Sequence, residues 1–335
     1  MRHSALAILT TVILGCAPVW AGAPDLLRFV PPDSGVIVGI NFDQIRASKF
    51  GQALLAKSAA GNPQLKAFIA LAGFDPLKDI NEIVIAAPAN RQKAAGLFLL
   101  RGSFDPTRFA ELAVAPGMSA AAWHGVQVIT REQEQPVAMA CLDASFILGG
   151  DPETVRATIA RRAQASGPGA ALEARAAAMR AEHDIWFVSS VPPAGLAATP
   201  QAGMLGQVEQ ASGGLKFGEE LAITADLTAH TPKDAETMAS GLRLFAGLAA
   251  SNRNSKQAAA ILEKLVLRTE GNSVKLSLAI PEAELEKAFE TAVASARQAS
   301  APAAAPAAST AASTELKVYS SPKDMGVVTL PPPKP

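Results

Sequence analysis

The sequence predicts an α+β protein built as two related halves, each a mostly antiparallel sheet with helices packed on one face, plus a disordered C-terminal tail. Three observations lead there. Apolar runs of strand length recur along the chain and pair off across short polar connections. Several of these runs lead straight into a proline that opens an amphipathic segment. The prolines are also evenly placed: Pro106 and Pro152 are 46 residues apart, Pro232 and Pro281 are 49 apart, and the shifts between the two pairs are 126 and 129. Hairpins mixed with helices, without a regular β-α-β-α beat, favour antiparallel sheets. The repeated spacing favours duplication, with one half over 22–165 and the other over 166–299.

The chain starts with a short basic stretch, Arg2-His3, followed by an uncharged, mostly apolar run from Ala5 to Leu14. That run has the length of a signal-peptide core and falls short of the about twenty residues a membrane span needs. Val19-Trp20-Ala21 supplies a cleavage site, so residues 1–21 read as a signal peptide and the protein as exported, periplasmic or secreted. Ile13-Leu14-Gly15-Cys16 resembles the lipobox of bacterial lipoproteins. Under that alternative Cys16 carries a lipid and the chain is anchored to a membrane. Release is favoured, because every part of an ordinary signal peptide is present.

Within the first half, "SGVIVGINF" alternates, with Val36, Val38, Ile40 and Phe42 on one face, as a half-buried strand does. "NPQLKAFIALAG" places Leu65, Phe68, Ile69 and Ala72 on one helical face before Gly73. "EIVIAAP" and "GLFLLRG" flank a polar connection and read as an antiparallel pair, and "GVQVITREQEQPVAMACL" reads as a hairpin. Asp105-Pro106 and Asp151-Pro152 are helix starts, since the aspartate accepts from free amides while proline has none to satisfy. In the second half, "DIWFVSS", "ELAITADLTA" and the hairpin "KLVLRTEGNSVKLSLAI" supply strands. Thr231-Pro232 and Pro281 start helices. Ala235, Met238, Leu242, Phe245 and Ala249 form a stripe expected to pack on the sheet.

Composition narrows the chemistry. Thirty basic residues balance thirty acidic ones with no basic stripe, which argues against a nucleic-acid binder. Once Cys16 is cut away or acylated, Cys141 stands alone, so there is no disulfide framework despite an exported setting. Cys141 shares a strand face with Val137 and Met139 and reads as a small core residue, not a nucleophile. No nucleotide-binding loop, nucleophile elbow or metal-binding His/Cys spacing occurs. No cofactor and no metal are expected.

His183, Asp184 and Ser189 or Ser190, around one strand, are the weak catalytic candidates. Adjacent His and Asp point apart on an extended backbone, so an ordinary surface turn is favoured over a triad. Glu219-Glu220 reads as a solvated turn. The stretch from Val191 to Gly214, with one charge at Glu209, reads as a long loop with a short helix. Its Met204 and Leu205 are candidate partner contacts. Residues 300–335 begin as an Ala/Pro-rich linker and end with "LKVYS" and "GVVTL"; Tyr319, the only tyrosine, is the candidate contact there.

The segments "PPDSGVIVGINFDQIRAS", "GFDPLKDINEIVIA", "LLRGSFDPTRFAE" and "SFILGGDPETVRATI" resemble exported bacterial protein families of uncharacterised function. The likeness spans most of 29–160 and, more weakly, 184–290. It implies an envelope location and a duplicated α+β fold, and brings no catalytic residues with it. The expected function is therefore an exported envelope protein without a catalytic site that binds a protein or envelope partner, and a membrane only if Cys16 is lipidated. The alternative is a small-ligand binder or hydrolase with its site between the halves.

Overall fold

In a computed structural model, residues 25–59, 69, 74–90, 96–133, 136–164, 167–191, 207–251 and 260–284 are described. The expected signal segment with Cys16, the helix over 62–73 apart from residue 69, Met204, Leu205 and the tail with Tyr319 lie outside them. The described residues all belong to one compact unit.

The fold is α+β, as expected, and the described residues form a single antiparallel sheet of 12 strands. Its first seven strands are β1 (Ser34–Asn41), β2 (Ile80–Pro88), β3 (Leu97–Gly102), β4 (Met118–Trp123), β5 (Val126–Arg131), β6 (Val137–Asp143) and β7 (Phe146–Gly150). The rest are β8 (Ile185–Ser189), β9 (Val208–Phe217), β10 (Glu220–Ala229), β11 (Val266–Glu270) and β12 (Ser273–Pro281). Across the sheet the order is β11-β12-β10-β9-β8-β1-β2-β3-β7-β6-β5-β4. The meander β1-β2-β3, with β7 beside β3, has the same connection order as β8-β9-β10 with β12 beside β10. The two runs are not separate sheets. β1 pairs directly with β8, Val38 opposite Phe187 and Gly39 opposite Trp186.

Among the described residues the helices are α1 (Phe42–Ala47), α2 (Lys49–Ala59), α3 (Pro76–Asp79), α4 (Pro106–Glu111), α5 (Pro152–Arg161), α6 (Ala170–Glu182) and α7 (Pro232–Ser251). The expected caps form. Asp105 accepts from the amides of Thr107 and Arg108, Asp151 from that of Thr154, and Thr231 from that of Asp234.

Helices cover both faces of the sheet, not one. The 3₁₀ turn Leu26–Phe29, α5 and α6 close a core with Ile37, Val84, Leu97, Leu99, Leu148 and Trp186. On the opposite face, Phe109 of α4 packs with Leu100, Ile129 and Ile147. There too, Ala235, Met238 and Ala239 of α7 pack with Val208, Ala211 and Val274. The reason is local: "LFLL" and "FIL" are apolar at every position, so β3 and β7 must be covered on both sides. β1 follows the same logic. Val36, Val38 and Ile40 share a face and are half-buried, while Ile37 on the other side is fully buried, and Phe42 already belongs to α1.

Candidate functional site

A concavity of about 560 Å³ opens where the C-terminal end of α6 meets the outer strands β9, β10, β12 and β11. Its floor is polar. Ser212, Thr224, Asp226, Lys275 and Ser277 contribute side chains, and Arg268 and Glu270 form the far rim. Strand register explains this composition. Ser212 stands opposite Asp226 and Asp226 opposite Lys275, while Gly214 stands opposite Thr224 and Thr224 opposite Ser277. These residues therefore share one face. Their neighbours Ala211, Leu227 and Leu276 point to the other, under α7. The same sheet face that α5 and α6 close over the first strands is apolar there and polar here.

His183 forms the wall. It caps α6, its amide donating to Met179 O at 2.9 Å, and its ring lies over Gly214, where a β-carbon would meet Cγ at 2.5 Å. Nδ1 faces the carbonyl of Met179 at 3.2 Å and Nε2 faces Thr224 Oγ1 at 2.6 Å. A carbonyl only accepts, so Nδ1 carries a proton; in the neutral ring Nε2 then accepts from the threonine hydroxyl. His183 is 5 % exposed and Asp184 fully buried, which corrects the expected surface turn. The turn is drawn inward because Asp184 has partners there. Its Oδ1 is 2.6 Å from Lys216 Nζ, its Oδ2 accepts from the Phe217 amide at 2.7 Å, and its carbonyl accepts from Asn41. As expected, His183 and Asp184 do not meet. Ser189 lies at the far end of β8, its hydroxyl donating to Val191 O. The candidate His183–Ser189 pair therefore does not form, and the hydroxyl that reaches His183 is that of Thr224.

Charge in the groove is mixed. Lys275 Nζ is 2.5 Å from Glu270 Oε2; that contact holds the Glu270 carboxyl below its ordinary range and the Lys275 ammonium above it. Arg175 of α6 donates to Gln210 Oε1 at 2.7 Å. Burial lowers its affinity for the proton, and the nearby Asp226 works in the opposite direction. Asp226 Oδ1 is buried, and among the described residues nothing donates to it. Also among the described residues, no three His, Cys, Asp or Glu gather as a metal would need, and no helix is long and apolar enough to cross a bilayer.

Sequence reasoning missed Thr224, Asp226 and the β9 part of the floor. Thr224 and Asp226 were visible as the polar face of an alternating strand, "ITADLT". Val208–Gly214, expected as loop, is the start of β9. Its Ala, Ser and Gly content hides a strand, and the glycines are needed where His183 and Phe187 lean on the sheet.

No protein-family model matches the chain, and no curated protein matches its sequence. Solved structures of TP0453 are similar in fold. Its crystal form III superposes with a TM-score of 0.54 at 11 % identity, matching 80 % of this chain to 99 % of that one. Form IV gives 0.51 at 14 % identity, with 81 % and 98 % covered. At such identity the likeness concerns the path of the chain alone.

Proposed function

We propose that this is an exported envelope protein that acts by binding, and that the polar groove beside His183 receives a hydrogen-bond-donating group of its ligand or partner. One observation carries the reading. Asp226 lines the groove, its Oδ1 is buried with no donor from the described residues, and a buried acceptor left unpaired costs about 1–3 kcal/mol. A donor from a bound molecule removes that cost. Export rests on the N-terminal sequence pattern.

The test compares partners and small molecules recovered from cross-linked cell envelopes with the wild-type chain, Asp226→Asn and the groove-filling Ser277→Trp. Both variants lose the bound species if the groove receives it. Recovery identical to wild type refutes the assignment. The intact mass of the mature protein decides the address, since release begins the chain at Gly22 and lipidation at an acylated Cys16.

The hydrogen bond from Thr224 to His183 favours a second reading, hydrolysis with Thr224 as nucleophile and His183 as base, oriented by the Met179 carbonyl. It predicts an ester- or amide-cleaving activity abolished by His183→Ala and by Thr224→Val. A substrate screen in which wild type and both variants are equally inactive retires it.

A further inference from the structure

We propose that β4 is a self-pairing edge, through which two copies of this chain join their sheets antiparallel about a two-fold axis at Ala121. The two ends of the sheet differ. At one end, β11 alternates Arg268 and Glu270 with smaller residues, the usual protection of an open edge. At the other, β4 reads Met118-Ser119-Ala120-Ala121-Ala122-Trp123: no charge, no proline, and pairing with β5 without a bulge. Every residue from Ser119 to Trp123 is exposed. Among the described residues no strand pairs with its outer side.

The hydrogen-bonding pattern makes this edge self-complementary. β4 and β5 are joined by the two-residue turn His124-Gly125, at φ 46° and 78°. In such a hairpin the closing pair exchanges its amide bonds, and so does every second pair beyond it. The bond from the Glu132 amide to Gly117 O fixes the same phase at the far end. The amides and carbonyls of Ala120 and Ala122 therefore point away from the sheet. With a two-fold axis through Ala121, Ala120 of one copy stands opposite Ala122 of the other, and each exchanges both amide bonds with its opposite number. Ala121 then faces its own copy at about 4.5 Å between Cα atoms, a spacing that small, uncharged side chains accept.

The rim supplies apolar area on both faces. Val114, in a second 3₁₀ turn (Leu112–Val114) packed against β4 on the Met118 side, is 87 % exposed. Trp123 is on the other side, anchored by its Nε1 donating to Arg156 O at 3.0 Å, and stands 41 % exposed where the second copy's Ser119 arrives. Both are among the few large apolar side chains the described residues leave in solvent. A six-residue edge with this rim lies at the small end of specific interfaces, so the association is reversible and concentration-dependent.

Sedimentation of the full mature chain over a concentration series up to about 500 μM reads the equilibrium. The wild type forms a dimer and no larger species. Ala121→Lys places like charges directly opposite each other, and Ala120→Pro removes an outward amide without touching the bonds to β5. Each weakens the dimer at least about tenfold. Ala121→Cys oxidises to a disulfide-linked dimer, and Thr107→Cys on α4, with the same Cys141 background, does not. This arm stands even if the other variants fold poorly. A wild-type chain that stays monomeric throughout, or a dimer that neither variant weakens, overturns the proposal; the monomer outcome would leave β4 to a strand from another polypeptide.

Discussion

At Gly39 a β-carbon would stand 2.2 Å from the indole of Trp186, its partner across β1 and β8. The ring fills that space and is itself 1 % exposed in the main core. Gly39→Ala is therefore expected to cost about 1–3 kcal/mol, read from the shift in the urea midpoint. Glu82, 1 % exposed on β2, contacts both Arg101 and Arg180, and Arg180 also reaches Asp25 at 2.7 Å. Burial disfavours the Arg180 charge, but Glu82 and Asp25 outweigh it and hold the guanidinium above its ordinary range. Stability from that shift is present at all pH values below the ordinary arginine range and fades only in strong alkali. Glu82→Ala leaves two arginines facing a vacated pocket and should cost about 3 kcal/mol. None of this could be read from "EIVIAAP", because the partners lie 19 and 98 residues away. Cys141 was legible, since alternation alone put it on a packed face with Met139. Burial first, and Asp143 second, raise its thiol above the ordinary range. Its alkylation at pH 8 should be at least several-fold slower than that of free cysteine, and a rate equal to free cysteine would contradict the inert assignment.

Elements were legible in proportion to their β-branched and aromatic content. "VIVGIN", "EIVIAAP" and "IWFVS" form strands where expected. "MSAAAW" in β4, the Gly/Ser-rich start of β9 and the alanine-rich α6 carry too little contrast between faces to show a period. α7 shows where periodicity over-reads. Ala235, Met238 and Leu242 pack on the sheet as the stripe predicts, whereas Phe245 is 51 % exposed, alongside Leu244 at 66 % and Leu248 at 62 %. A helical repeat can continue along its axis past the part of the sheet that the described residues place beneath it. The two stretches of α7 should therefore respond differently to truncation. Met238→Ala opens a cavity and costs about 2–4 kcal/mol, while Leu244→Ala stays within about 0.5 kcal/mol, both by urea titration. Equal losses would mean that the outer stretch of α7 is packed after all.

At the scale of the whole molecule, the expected boundary between residues 165 and 166 does not divide the fold energetically. The core that begins at Leu26 and runs through Leu99 and Leu148 is completed from beyond that boundary by Leu172, Ala176, Trp186 and Val188. Cutting there uncovers that core and strips β8 from β1, leaving Val36, Val38 and Ile40 beside an open backbone edge. Spacing in the sequence pointed to two halves but carried no information on whether they fold separately. That depends on contacts between residues far apart in the chain, among them the β1–β8 pair, roughly 150 positions apart, and the indole seated over Gly39. Residues 25–284 should accordingly unfold in one cooperative transition. Leu99→Ala, before the boundary, and Val188→Ala, after it, should both lower the midpoint of that transition, each by about 2–4 kcal/mol in stability. A fragment ending at residue 165 should aggregate or remain unfolded. Two transitions in calorimetry, with Leu99→Ala moving only one and Val188→Ala only the other, would show that the halves are independent despite the shared sheet.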